Sequence, residues 1–181
     1  MNKEIALLFC QLCSQAYQAS VIHKLLFDQN DNKADTIEKA VAFANHLSTI
    51  TQEYSLQQIA KLHDPAVQNK DRNVSINFVV EFGEWGAKEA EIEAIRERLS
   101  KLWGHLKPAR NKLLAHNDLE ALLANEALGG FPEGEDDLYF EALQELVDAV
   151  HDRWGDGGPY PFDDLAINDV LEFLNVLERS H

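Results

Sequence analysis

Apolar residues recur at steps of three and four along most of this chain, and that period narrows the available folds more than any other feature. Ile5, Leu8, Leu12, Ala16, Ala19, His23 and Leu26 fall on one face of a single long helix. Ile37, Val41, Ala44, Leu47, Thr51 and Tyr54 do the same for a second, opened by an Asp35/Glu38 capping box. Ser55 with Gln58 repeats the capping pattern and predicts a short separate helix to Leu62, followed by a loop from Pro65 to Asn73. Residues 86–106 form a long helix with Ile92, Ile95, Leu99, Leu102 and Leu106 inward. Pro108 suits the first turn of a further helix running to about Ala127 and ending at Gly129-Gly130. Asp136 caps a helix over 137–153 with Tyr139, Leu143, Leu146, Val147 and Val150 on its apolar face, and a last helix spans about Asp163 to Leu177. Only residues 74–82 conflict. Their first five residues alternate like a strand, but a lone strand has no pairing partner here, so Ser75 is expected to cap a short helix. The expectation is an all-α, single domain over residues 1–181, with 131–181 an added helical pair rather than a second domain.

Composition bounds the setting. The chain has 181 residues, enough to bury a sizeable core. No apolar run approaches the roughly 18 residues that span a bilayer, and the start lacks a signal-peptide pattern, so no membrane partner is expected. Two cysteines make no disulfide framework, which fits a reducing cytoplasm. The net charge of −15 is unevenly spread: residues 117–181 hold 17 acids and two bases, whereas 1–116 are neutral. Residues 94–116 carry six bases against one acid, Glu97. Phosphate binding depends on the local field, so the acidic total does not exclude a nucleic-acid ligand. The same basic stretch also reads as a solvated helix face.

That stretch ends on Arg110-Asn111-Lys112-Leu113-Leu114-Ala115-His116-Asn117-Asp118. A guanidinium grips phosphate with a planar fork of donors, and an imidazole moves protons near neutral pH. Spacing alone is weak evidence, since chance supplies roughly one such Arg/His pair; Arg98 and His105 are one. The Asn after the Arg, the Ala before the His and the acid two residues later add specificity. If Pro108 begins a helix, Arg110 lies in its first turn, where free amides attract anions. His116 then lies roughly 120° around and ~9 Å along the axis. Two copies related by a two-fold axis would bring both groups, twice over, to one cleft.

Read whole, Arg-Asn-Lys-Leu-Leu-Ala-His-Asn-Asp resembles the signature of HEPN domains, and most closely the AbiU-type abortive-infection branch. Ser55 to Asp64, ending in Lys61-Leu62-His63-Asp64, resembles the short basic-Leu-x-Asp helix that precedes the motif there, although His63 stands where a more apolar residue is expected. The resemblance implies an up-down helical bundle with additional C-terminal helices. It also implies a homodimer that cuts RNA without a metal or other cofactor, using the 2′-hydroxyl as nucleophile. His116 would be the general acid/base, Arg110 would hold the scissile phosphate, and Asn111 would orient the phosphate or the histidine. Lys112, Asp118, Lys61 and Asp64 would support them. The setting would be phage defence or a toxin-like system, with an antitoxin or defence-complex partner. The alternative is a non-catalytic HEPN-like interaction module, which the acidic C-terminal third favours.

Other constellations point to packing. Cys10 and Cys13 lack the second ligand pair that zinc needs. His63-Asp64 resembles the doublet of metal-dependent phosphohydrolases, but it sits at a helix end before Pro65. His23 reads as a core histidine, and Trp85, Trp103 and Trp154 as core or interface residues. The glycines of 155–158 lack the Lys and Ser/Thr of a phosphate-binding loop.

Overall fold

A computed structural model describes residues 1–29, 40–114, 130–163 and 165–179. Six α-helices occur among the described residues: α1 (Lys3–His23), α2 (Val41–Leu62), α3 (Ile76–Phe82), α4 (Glu89–Ala109), α5 (Glu135–Trp154) and α6 (Leu165–Arg179). The expected all-α fold is therefore observed. Two-residue strands β1 (Val67–Gln68) and β2 (Asp71–Arg72) pair antiparallel in the segment expected to be loop. Asn69 turns this hairpin with φ +59°, a left-handed conformation that Asn tolerates better than most residues.

The chain divides into two compact units. The first comprises residues 1–13 and 59–161, the second 14–58 and 162–181. The two helices of 131–181 thus fall in different units.

In the first unit α4 packs along α5. Ile92, Ile95, Leu99, Leu102 and Leu106 are buried on one side, and Tyr139, Leu143, Leu146, Val147 and Val150 on the other. Both faces are the ones the sequence period predicts. The start of α5 differs: Gly134, left-handed at φ +80°, caps it two residues before Asp136, and Glu135, Asp136 and Asp137 occupy its first turn. Three carboxylates there complement the positive end of the helix dipole.

The ambiguous segment is helical, with Ser75 fully buried at its N-cap and accepting from the Phe78 amide at 3.2 Å. Gly83 follows because the Trp85 indole folds back to donate to the Val79 carbonyl at 2.9 Å. A Cβ at position 83 would stand 2.4 Å from that nitrogen.

Several boundaries depart from expectation. Ser55 begins nothing: α2 runs unbroken from Val41 to Leu62, with Ser55 and Gln58 buried in it. Neither Gly nor Pro interrupts that span, so a potential cap is carried through as helix interior. Along the first half of α1 the inward face is Ala6, Phe9, Cys10 and Cys13, while Leu8 stays 44% exposed. Lys3–Asp28, α1 plus a π-helical turn at Lys24–Asp28, is long and apolar enough to cross a membrane by length and composition alone, contrary to the sequence expectation. The core helix of a soluble protein passes the same test, and Ala6, Phe9, Cys10, Cys13 and Ala16 are fully buried here.

The second unit has a smaller core, in which Leu26, Val170 and Leu174 meet Ile22, Leu25 and Phe27. Tyr17 stacks on Phe162 at 4.9 Å, and the Gln18 amide donates to both Asp163 carboxylate oxygens at 2.9 Å. His23 is half-buried, as a core histidine should be, and hydrogen-bonds Thr51 Oγ1 at 2.9 Å.

Removing the buried cap tests the α3 assignment. Ser75→Ala leaves the Phe78 amide without its partner and is expected to cost about 1–2 kcal/mol, measured as a lower urea midpoint at unchanged slope.

Candidate functional site

The Arg-Asn pair lies where the C-terminal end of α4 loosens. Pro108 is inside α4 and does not begin a new helix. It has no amide to return to the Gly104 carbonyl, and its ring crowds that turn. The chain continues as helix regardless and relaxes into a π-helical turn over Arg110–Leu114. The Arg110 amide donates to the carbonyls of Leu106 and Lys107. π turns of this kind recur at functional sites because they displace side chains from the regular helical phase.

Arg110, Asn111 and Lys112 are all exposed on this turn. The Arg110 guanidinium donates to Asn111 Oδ1 at 3.1 Å, which leaves most of its fork available to a ligand. His116, Asn117 and Asp118 lie outside the described residues, as does the helix expected to run to Ala127.

The end of the second sequence block, from Ile59 to Asp64, belongs to the same unit. Lys61 is exposed in the last turn of α2, and Asp64 follows half-buried. Burial raises the Asp64 carboxyl above its ordinary range, and the charges of Arg110 and Lys61 pull it back down. Asp64, Lys61 and Arg110 therefore share one electrostatic environment. Asn77, projecting from α3, donates its amide to the His63 and Asp64 carbonyls at 3.3 and 3.1 Å, which fixes the end of α2. Sequence reasoning missed Asn77, since a lone Asn in a short helix carries no pattern.

His63, the misfit in that block, is a packing residue. Its ring lies 5.0 Å from that of Trp103 at an interplanar angle of 7°, and its Nε2 hydrogen-bonds Tyr139 Oη at 3.1 Å. Burial lowers its pKa to about 3, so the ring is neutral near pH 7. Burial likewise raises the Tyr139 phenol, which keeps its proton. An apolar residue could fill the space, but it could not satisfy the buried Tyr139 hydroxyl. Among the described residues no His/Cys/Asp/Glu group is arranged to hold a metal.

The Arg98/His105 pair faces α5 instead, and only Arg98 makes a permanent ion pair there. Arg98 makes a two-pronged contact with Glu145, 2.9 Å on one arm, and His105 Nε2 lies 3.4 Å from Glu135 Oε2. Part of the basic stretch thus meets its countercharge in the acidic C-terminal third. Cys10 and Cys13 are fully buried, and burial lifts the Cys10 thiol to about 12, which removes the thiolate that metal or redox chemistry requires. Trp85 is buried edge-on to Trp154 at 4.7 Å.

A two-unit helical protein presenting an Arg-Asn turn at a loosened helix end is an all-α domain of the HEPN kind. The AbiU2 family model of that superfamily matches residues 2–176, and the chain belongs to this abortive-infection HEPN family. No curated protein and no solved structure matches it.

The neutral imidazole makes stability depend on pH. Between about 3 and 6.5 the unfolded chain binds a proton at His63 that the folded protein does not. The His63 contribution is therefore complete above 6.5 and declines on acidification, by up to ~1.4 kcal/mol per pH unit. Asp64, whose pKa is raised, acts in the opposite sense, so a variant must isolate the histidine. Urea unfolding at pH 7 and pH 5 is expected to show wild type losing about 1–2 kcal/mol more than His63→Gln.

Proposed function

We propose that this protein is a metal-independent endoribonuclease of the HEPN type, acting as a homodimer in phage defence or a toxin-like system within the cytoplasm. The observation that carries the reading is the exposed Arg110-Asn111 pair on the π turn, sharing its environment with Lys61 and Asp64. Arg110 takes the non-bridging oxygens of the scissile phosphate and balances the charge that grows on them in the transition state. His116 of one protomer removes the proton from the 2′-hydroxyl, whose oxygen attacks the adjacent phosphorus. His116 of the partner subunit gives a proton to the departing 5′-oxygen. The products are a 2′,3′-cyclic phosphate and a 5′-hydroxyl, with water and metal taking no part. Asn111 orients the phosphate or the histidine, Lys112 adds positive field, and Asp118 orients the imidazole. Lys61 and Asp64 hold the arginine side of the cleft in place.

A second reading has its own support. The −15 carried by residues 117–181 suits a basic protein partner better than RNA, and it would make the protein a non-catalytic subunit of a defence complex or the target of an antitoxin.

One incubation separates the two. Wild type mixed with RNA in chelator is expected to leave cyclic-phosphate ends. His116→Ala should be slower by about 10²–10⁴-fold, and Arg110→Ala by about 10²–10³-fold. Equal inertness of wild type and both variants, all folded, would discard the nuclease in favour of the binding module.

A further inference from the structure

Helix α2 carries a stripe of large apolar side chains that the protein leaves in solvent. Phe43 is 66% exposed, Ile50 49% and Tyr54 51%, with Leu47 half-buried between them. Steps of four, three and four put all four within about 60° of one another around the helix. A stripe of this kind on a protein surface marks an interaction site. Its far end borders a groove of about 310 Å³ in the same unit, lined by Gln15, Gln18, Ala19 and Ile22 of α1 and by Ile50 and Tyr54 of α2. An apolar cavity of roughly 150 Å³ already accommodates a benzene ring, so the groove has room for a phenylalanine side chain.

The prominent ring and the groove that could receive one lie on the same helical stripe. From Phe43 to Ile50 is seven residues, and to Tyr54 eleven, a rise of roughly 10–16 Å. We propose that this stripe is the contact with a second copy of the chain. Two α2 helices run antiparallel across a two-fold axis, and Phe43 of each copy enters the groove between α1 and α2 of the other. A two-fold contact needs one patch that is its own complement, and this patch supplies knob and hole together.

Charge selects the same occupant. Val41–Leu62 contains one acid, Glu53, and one base, Lys61, in a chain of net charge −15. Two copies of so acidic a protein repel across most surfaces and approach most easily through an uncharged one. RNA would need cations on the stripe, which has none. A basic partner would find its countercharges on residues 117–181 instead. The proposal rests on exposure, groove and charge within the second unit and stands or falls without RNA cleavage.

Light scattering and sedimentation on the full chain test it. Wild type is expected as a dimer. Phe43→Ala should weaken association by about 30-fold or more, as loss of a central aromatic anchor does, and Phe43→Glu should give a folded monomer by circular dichroism. Phe173→Glu, at a site 49% exposed on α6, should leave the dimer intact. In a mixture of Phe43→Cys and Tyr54→Cys chains, mild oxidation should cross-link the two kinds to each other. Wild type that stays monomeric at high concentration overturns the proposal. So does a dimer indifferent to Phe43→Glu, or one broken equally by Phe173→Glu. A dimer that behaves as expected yet leaves RNA uncut keeps this surface and removes the nuclease.

Discussion

The first unit is organised around a neutral imidazole. His63 sits at the end of α2, stacks on Trp103 of α4 and shares a hydrogen bond with Tyr139 of α5. Three helices meet at one ring that must be flat, polar at its edge and uncharged. Leucine would supply bulk but no acceptor or donor for the Tyr139 hydroxyl, and a charged ring would carry its charge into the core. The next residue is Asp64, whose carboxyl answers to Arg110 and Lys61. The packing that secures the helix ends therefore also sets the position of the groups proposed to handle phosphate. The Asn77 amide across the His63 and Asp64 carbonyls completes that support, leaving little freedom where α2 stops.

Charge is partitioned along the same lines. The basic face of α4 and the acidic α5 are adjacent, and Arg98 and His105 find partners in Glu145 and Glu135. A net charge of −15 is thus not a uniform field. Some of the acid balances cations inside one unit, while Arg110, Asn111 and Lys112 extend from the helix end into solvent. Local field, rather than total charge, decides whether an anion can approach such a turn.

Periodicity made much of this architecture readable in advance. The inward faces of α4 and α5 follow from apolar spacing because two long helices in contact leave only one way to bury those residues. Ser75 could be read as a cap because its hydroxyl has a specific amide to satisfy. The same logic misplaced Ser55, since a capping residue competes with helix continuation and loses when the flanking turns are well packed. It misplaced the inward face of α1, where Ala6, Phe9, Cys10 and Cys13 take the interior and Leu8 does not. Pro108 looked like a beginning because proline usually is one, and only the relaxed turn beyond it shows how a helix can absorb one. At the candidate site, residue types singled out Arg110 and Asn111, and the family resemblance singled out Lys61 and Asp64. The nearness of Asp64 to the two cations, and the Asn77 clamp, arise from tertiary packing that no local pattern encodes.

The π turn after Pro108 has a geometric consequence of its own. A turn of this type winds about 4.4 residues instead of 3.6, so side chains within it drift from the azimuth that a regular helical period assigns. Heptad reckoning carried straight through from Glu89 would therefore misjudge which way Asn111 and Lys112 face. Proline, by denying Gly104 its usual donor, acts as a phase shifter: it decouples the orientation of the cationic tip from the seam that α4 shares with α5.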